Sequence, residues 1–293
     1  MLKSAHLALI ALVLPLLGTG PAAADCPGKP NALGVSRVVE IDTTGGPGFG
    51  FEHFKDHDFL RPKEVVLTFD DGPWPGTTLQ VLKALEEHCS KAMFFAIGKH
   101  SLWHPEILRQ VAAAGHTIGT HTFSHQDLAS GKLDDDKRKA EIEMGVSAVR
   151  RGLGDHADKL STFFRFPALR HPPEMMKYVG SRNMGVWSTD IDSFDFKLKG
   201  TARLVPSLMK KLEKHGKGIV LMHDFQKNTA QAASNLLGEL QAGGYKIVHV
   251  KSSSSLESLP EYDALVAQQV KGPVSANARP TSSIIKTISE TGK

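Results

Sequence analysis

The chain is short of cysteine, has no block of basic residues and offers no apolar stretch long enough to span a bilayer; each shortage removes a class of protein. Cys26 and Cys89 are the only cysteines among 293 residues, so no disulfide scaffold holds the fold; export would permit one bridge, and the sequence leaves that pairing open. Lys+Arg 35 against Asp+Glu 31 gives a formal net charge of +4. That charge is spread along the chain, which leaves no footprint for nucleic acid or an anionic membrane as partner. The glycine-rich phosphate turn of a dinucleotide-binding fold is missing as well. Where it would follow the first strong strand, the sequence reads Asp70-Asp71-Gly72-Pro73.

At the N-terminus, Met1-Leu2-Lys3 leads into an apolar run from Leu7 to Leu17 and then into Ala22-Ala23-Ala24. A basic start, a short apolar core and small residues match a secretory signal peptide cleaved after Ala24. The run is too short for a membrane span and no basic stop-transfer cluster follows. The expectation is an exported protein, periplasmic or extracellular, with no stable membrane anchor after cleavage. Residues 25–62 read as a leader packing on the domain, with one strand-like piece from Val35 to Ile41. The sequence carries no signal for an oligomeric state.

From Lys63 a regular alternation begins. Runs rich in β-branched and aromatic residues lie at Val65–Phe69, Ala92–Ile97, Thr117–Gly119, Thr162–Phe166, Gly185–Ser188, Gly218–Met222 and Tyr245–Val250. Helical patterns separate them at Thr77–His88, Pro105–Ala114, Asp134–Leu153, Pro173–Ser181, Ala202–His215 and Thr229–Ala242. Such β/α alternation implies a parallel sheet covered by helices, either doubly wound or closed into a barrel, and without the phosphate turn the barrel is preferred. The domain is placed at 63–251. Residues 252–293 read as a Ser/Thr-rich tail, partly disordered, with a short helix around Tyr262–Val270.

In a parallel β/α fold, active sites collect at the C-terminal ends of the strands. Strand ends here carry Asp70-Asp71, His121 through His125, Arg165-Phe166-Pro167, Asp190 through Asp195, and His223-Asp224. Two histidines four apart can face one way on a helical turn, and with one carboxylate they make a three-ligand set that leaves a divalent metal open positions. A turn explains Gly72 and Pro73 but not two consecutive acids, whose repulsion calls for a metal on one and an arginine such as Arg165 on the other. His223 is either a capped core histidine or an acid catalyst with Asp195 as partner. Asp190, Asp192 and Asp224 have the plainer reading of loop acids or helix caps. The set permits metal-assisted hydrolysis, and adjacent acids beside two histidines fit a metal cluster better than a glycosidase carboxylate pair.

Taken together, Thr68-Phe69-Asp70-Asp71-Gly72-Pro73, Ala92 to Gly98, Ala114 to Gly119, His121-Thr122-Phe123-Ser124-His125 and Leu221-Met222-His223 resemble the motifs of the polysaccharide deacetylases. These are carbohydrate esterases of family 4 that share the NodB homology domain, and the likeness covers roughly 63–250. The resemblance implies a distorted barrel of about seven or eight β/α units. It also implies Asp70 as general base, and Asp71, His121 and His125 as ligands of a divalent metal, commonly Zn2+. Arg165 would hold Asp70, Asp195 would pair with the general acid His223, and Leu221 would line the pocket for the acetyl methyl.

Two positions depart from the family pattern. Ala168-Leu169 follow Pro167 where an aromatic residue and glycine are usual, and Phe196 stands where tryptophan is usual. A backbone N–H at Ala168 can still hold an oxyanion. Phe196 keeps an apolar wall but lacks the indole donor, so Pro167, Ala168 and Phe196 mark where sugar or acyl preference would differ. The expected activity is metal-dependent removal of acetyl groups, N-acetyl before O-acetyl, from a polysaccharide or oligosaccharide. The alternatives are a catalytically silent glycan-binding domain, an O-acetyl (xylan-type) esterase, and a metal phosphoesterase, for which a second metal cluster and a phosphate loop are missing.

Overall fold

The run Val65-Val66-Leu67 is apolar on both faces, as expected for a strand with neighbours on either side and helices outside. In the computed structural model it lies in β3 (Glu64–Asp70), buried along its whole length. The structure describes residue 29 and residues 32–198 and 200–270; the expected signal peptide and Cys26 lie outside them. Before β3 come β1 (Arg37–Ile41) and β2 (Gly48–Phe49). After it follow α1 (Thr77–Glu87), β4 (Met93–Ala96), α2 (Gly98–Trp103), α3 (Pro105–Ala113), β5 (Thr117–Thr120), α4 (Asp135–Leu153), β6 (Leu160–Phe164) and α5 (Pro173–Ser181). The chain continues through β7 (Gly185–Trp187), β8 (Ile191–Asp192), α6 (Leu204–His215), β9 (Gly218–His223), α7 (Lys227–Ala242), β10 (Lys246–Ser252) and α8 (Pro260–Gln269).

Every pairing between these strands is parallel. β3 pairs with β4 and β9, β9 pairs with β8, and from β4 the sheet continues through β5, β6 and β7 to β2. β8 and β2 are the two ends of this path, and residues 188–190 carry the chain from β7, beside β2, across to β8, in the arrangement of a distorted barrel. β10 pairs with the start of β3, Lys246 opposite Glu64, and then with β1 along Arg37–Ile41.

Alternate residues of each strand face opposite ways, and the two cores separate on that rule. Val65, Leu67 and Phe69 belong to the large cluster under the helices. Val66, Met93, Phe95, Phe163, Trp187 and Ile219 form the barrel interior. Trp187 fills it, with Phe49 at 5.0 Å and Phe163 at 5.1 Å between ring centroids. By the same parity Thr68 and Asp70 follow Val66 inward, Arg165 follows Phe163, and Leu221 and His223 follow Ile219. The mouth of the barrel therefore collects polar groups above an aromatic plug.

The two-residue strands β2 and β8 and the six-residue α2 are too short to show a period, and periodicity misses them. Past β10 the chain stays packed: Leu256 is buried, and Val266 of α8 joins Phe123 and Ala148 in a small core against α4. Arg150 donates to the Leu256 carbonyl at 2.7 Å and Ser147 to Asp263 at 2.6 Å. Cys89 is disulfide-bonded.

Candidate active site

The Asp-Asp pair is divided by the end of β3. Asp70, the last strand residue, keeps the inward parity of Val66 and Thr68, while Asp71 turns out of the strand with φ 76°. Arg165 Nη1 donates to Asp70 Oδ1 at 2.6 Å and to Thr68 Oγ1 at 2.8 Å. Its Nη2 and Nε reach the carbonyls of Ser188 and Trp187, and the guanidinium lies 4.2 Å from the Phe95 ring centroid. Burial lowers the Arg165 pKa, and Asp70 opposes that shift. The ion pair is fully enclosed, a setting in which removing one partner strands the other.

Asp71 Oδ1 is buried and has no hydrogen-bond partner. It lies 3.6 Å from His121 Nε2 and 3.3 Å from His125 Nε2, and one donor atom from each of the three residues falls within 4.8 Å of the others. His121 Nδ1 donates to the Arg165 carbonyl at 2.7 Å, which fixes the tautomer and leaves the Nε2 lone pair facing the acid. Burial holds the His121 pKa down to about 4, against the pull of Asp70. An undonated carboxylate oxygen facing a neutral imidazole, with a second imidazole beside it, is a set that a divalent cation completes.

The histidines do not sit on a helical turn, as their spacing suggests. Thr122 and His125 have φ 62° and 60°, so the segment is an irregular loop after β5. α4 pins it: Phe123 N donates to the Glu141 carbonyl at 2.7 Å and Ser124 N to the Glu141 carboxylate at 2.9 Å. Gly145 presents a bare Cα to this loop, where a Cβ would lie 2.7 Å from the Thr122 carbonyl carbon.

Across the mouth, His223 is the Cα partner of Asp70 in the β3–β9 register. Its Nδ1 donates to Asp195 Oδ1 at 2.7 Å, and its backbone N–H donates to Asp195 Oδ2 at 2.7 Å. Burial pulls the His223 pKa down, but the hydrogen bond and charge of Asp195, helped by Asp70 and Asp71, outweigh it and raise it to about 9. Burial pushes Asp195 up, and His223 and Thr229 more than reverse that, so it stays a carboxylate.

A cavity of about 400 Å³ joins these groups. Asp70, Asp71, His121, His125, Ala168, Phe196, Leu221 and His223 all line it; Arg165 and Asp195 stand behind, in contact with those that do. Pro167 is buried and does not line the cavity. Ala168 and Leu169 both adopt left-handed backbone, φ 53° and 57°, at the rim. Phe196 is half-exposed, its ring centroid 5.4 Å from that of His223.

Sequence reading missed Phe225 and Gln226, which also line the cavity, and it placed Asp192 among ordinary loop acids. It also read Asp224 as a loop acid or cap. Asp224 is instead buried against Gly72, which has to lack a Cβ there, and accepts from Thr78 Oγ1. Burial raises its pKa to about 7. No helix among the described residues is long and apolar enough to cross a membrane.

A family model described as polysaccharide deacetylase matches residues 59–187. A peptidoglycan-N-acetylglucosamine deacetylase of Bacillus cereus is 31% identical over 200 residues, which are 64% of this chain and 86% of that protein. The chain belongs to the polysaccharide deacetylase family. Another member, the peptidoglycan-N-acetylmuramic acid deacetylase PdaC of Bacillus subtilis, is 27% identical over 206 residues, 68% of this chain and 40% of that one. Several curated deacetylases of the family are thus much longer than the segment they share with this chain. Among solved structures, a peptidoglycan deacetylase of Bdellovibrio bacteriovorus superposes with TM-score 0.66 at 32% identity, covering 74% of this chain and 59% of that one. The fold expected from the motifs, the NodB-type distorted barrel, is the fold of these deacetylases.

Proposed function

We propose that this polysaccharide deacetylase hydrolyses N-acetyl groups on a glycan of the peptidoglycan or chitooligosaccharide type, outside the cytoplasm, with a divalent metal held by Asp71, His121 and His125. The observation that carries the reading is the pairing of Asp70 and His223 across one cavity, one backed by Arg165 and the other by Asp195. A binding domain has no use for a braced base facing a braced acid. When bound, the ion, Zn2+ by expectation, supplies Lewis acidity at the acetyl oxygen and makes water a better nucleophile.

The residues of the chain do the rest. Asp70, oriented by Arg165, takes the proton from the attacking water. The backbone N–H of Ala168 faces the developing oxyanion, while Leu221 receives the acetyl methyl. His223, protonated because Asp195 accepts its Nδ1–H, gives the Nε2 proton to the departing amine. Relatives named as acting on peptidoglycan and on chitooligosaccharides support the substrate class, and the Ala22-Ala23-Ala24 segment supports export.

The test is acetate release from chitopentaose and from peptidoglycan by the wild type and by Asp70→Asn. The variant is expected to lose at least about a hundredfold in kcat while its metal content is unchanged. Full activity in Asp70→Asn would remove the base assignment.

A further inference from the structure

The cavity, at about 400 Å³, is at the small end of ligand sites, so a polymeric substrate has to continue beyond it. On the side of Phe196 the wall extends to Phe194, itself half-exposed. On the side of the metal ligands there is a second aromatic surface that the reaction does not use. The chain has three tryptophans. Trp187 fills the barrel, but Trp74 is 36% and Trp103 51% exposed, and both belong to one group.

The His100 ring lies between them, with centroids 4.9 Å from Trp74 and 5.4 Å from Trp103, and His104 lies 5.5 Å from Trp74. The patch is tied to the site by a hydrogen bond: His100 Nδ1 donates to the Asp71 carbonyl at 2.6 Å. Trp74 is held on its own side, its backbone N–H donating to Thr78 Oγ1 at 2.8 Å, and that hydroxyl donating to Asp224. The indoles therefore stand on supported backbone, adjoining a cavity-lining residue. Exposed tryptophans gathered in one place mark an interaction surface rather than scattered surface apolarity.

Resting on the deacetylase reading above, we propose that Trp74 and Trp103 form a sugar platform on the metal-ligand side of the cavity, holding a pyranose ring of the same glycan that is being deacetylated. The occupant follows from chemistry and continuity. A pyranose presents an apolar face of C–H bonds that packs on an indole while its hydroxyls stay in water. A ring there continues the chain bound in the cavity, whose far rim is also aromatic. The site then takes an internal residue of a polymer between two aromatic walls, and short oligomers leave the tryptophan wall empty.

The experiment compares chitobiose with chitopentaose as substrates of the full chain, alongside binding of chitopentaose read from tryptophan fluorescence. For Trp103→Ala the KM for chitopentaose is expected to rise about tenfold, the cost of truncating one aromatic anchor, with kcat unchanged and chitobiose turnover unaffected. Trp103→Tyr, which keeps a ring, is expected to recover most of the loss, and it guards against a fold defect in the alanine variant. Trp74→Ala is expected to act in the same direction. Equal effects on both oligomers, no effect on either, or no chitopentaose binding by the wild type would overturn the platform. So would a monomer–dimer equilibrium abolished by Trp103→Ala, since a second copy of the chain would then be the occupant. Acetate release with chitopentaose KM unmoved by the substitutions defeats the platform and keeps the deacetylase reading. Binding that depends on the tryptophans without acetate release does the reverse.

Discussion

At the scale of single residues, Asp70 and Asp71 are neighbours in sequence with opposite surroundings. Asp70 Oδ1 receives the Arg165 guanidinium at 2.6 Å, whereas the buried Asp71 Oδ1 receives no donor and faces two imidazoles. His223 and Asp195 give the same scale a pH dependence. The folded His223 pKa of about 9 lies above its ordinary 6.5, so the stabilisation it brings is fully present below the ordinary value and is lost as pH rises through about 9. Each unit of such a shift is worth about 1.4 kcal/mol, a sizeable share of a domain's net stability. In Asp195→Asn the charge that raises the pKa is gone and burial still lowers it. The upper limb of the kcat–pH profile is therefore expected to move down by more than about one unit, and the melting-temperature gap between wild type and variant to be widest below neutral pH and to close under alkaline conditions. An unmoved upper limb would show that His223 is not the group titrating in the reaction.

At the scale of elements, the site is a product of strand parity and of one helix. Asp70 opposite His223 in the β3–β9 ladder sets the proposed base and acid at one level of the barrel mouth. α4 then fixes the loop of the proposed metal ligands His121 and His125, because its Glu141 bonds the loop after β5 and its Gly145 lets that loop lie against the helix. Gly145→Ala forces a methyl into the Thr122 carbonyl. It is expected to cost about 1–3 kcal/mol of stability, the usual range for overpacking, and to weaken zinc binding in a dialysis titration although no ligand is touched. Unchanged zinc affinity would mean that the loop holds its shape without the helix.

Legibility from sequence divides along the same line. Strands β3, β4 and β9 carry β-branched or aromatic runs, and site residues stand directly at the ends of β3, β5 and β9. The four-residue spacing of His121 and His125 is compatible with a helical turn, but spacing constrains which side chains can converge and not the backbone that brings them there; two left-handed residues do it here. β2 and β8, of two residues each, leave no periodic trace. Phe225 and Gln226 leave no signal in the sequence, and Asp224 reads there only as a loop acid or cap, because their roles depend on the turn after β9 lying against Gly72 and the cavity.

At the scale of the molecule, the distorted barrel explains why residues from 68 to 229 meet at one place. The aromatic plug around Trp187 fixes the floor, and beyond β10 the chain is packed through Leu256 and α8 against α4, the helix that also braces the His121–His125 loop. The account centres on Asp71, His121 and His125 acting as one metal-binding unit in service of Asp70 and His223. The direct test is acetate release from chitopentaose by protein stripped with a chelator and then titrated with zinc, measured in parallel for His121→Ala and His125→Ala. The account predicts no release from stripped wild type, recovery that saturates at a single equivalent, and no recovery at that level in either variant. Full release from the stripped protein, or recovery in both variants at the wild-type equivalence point, would contradict it.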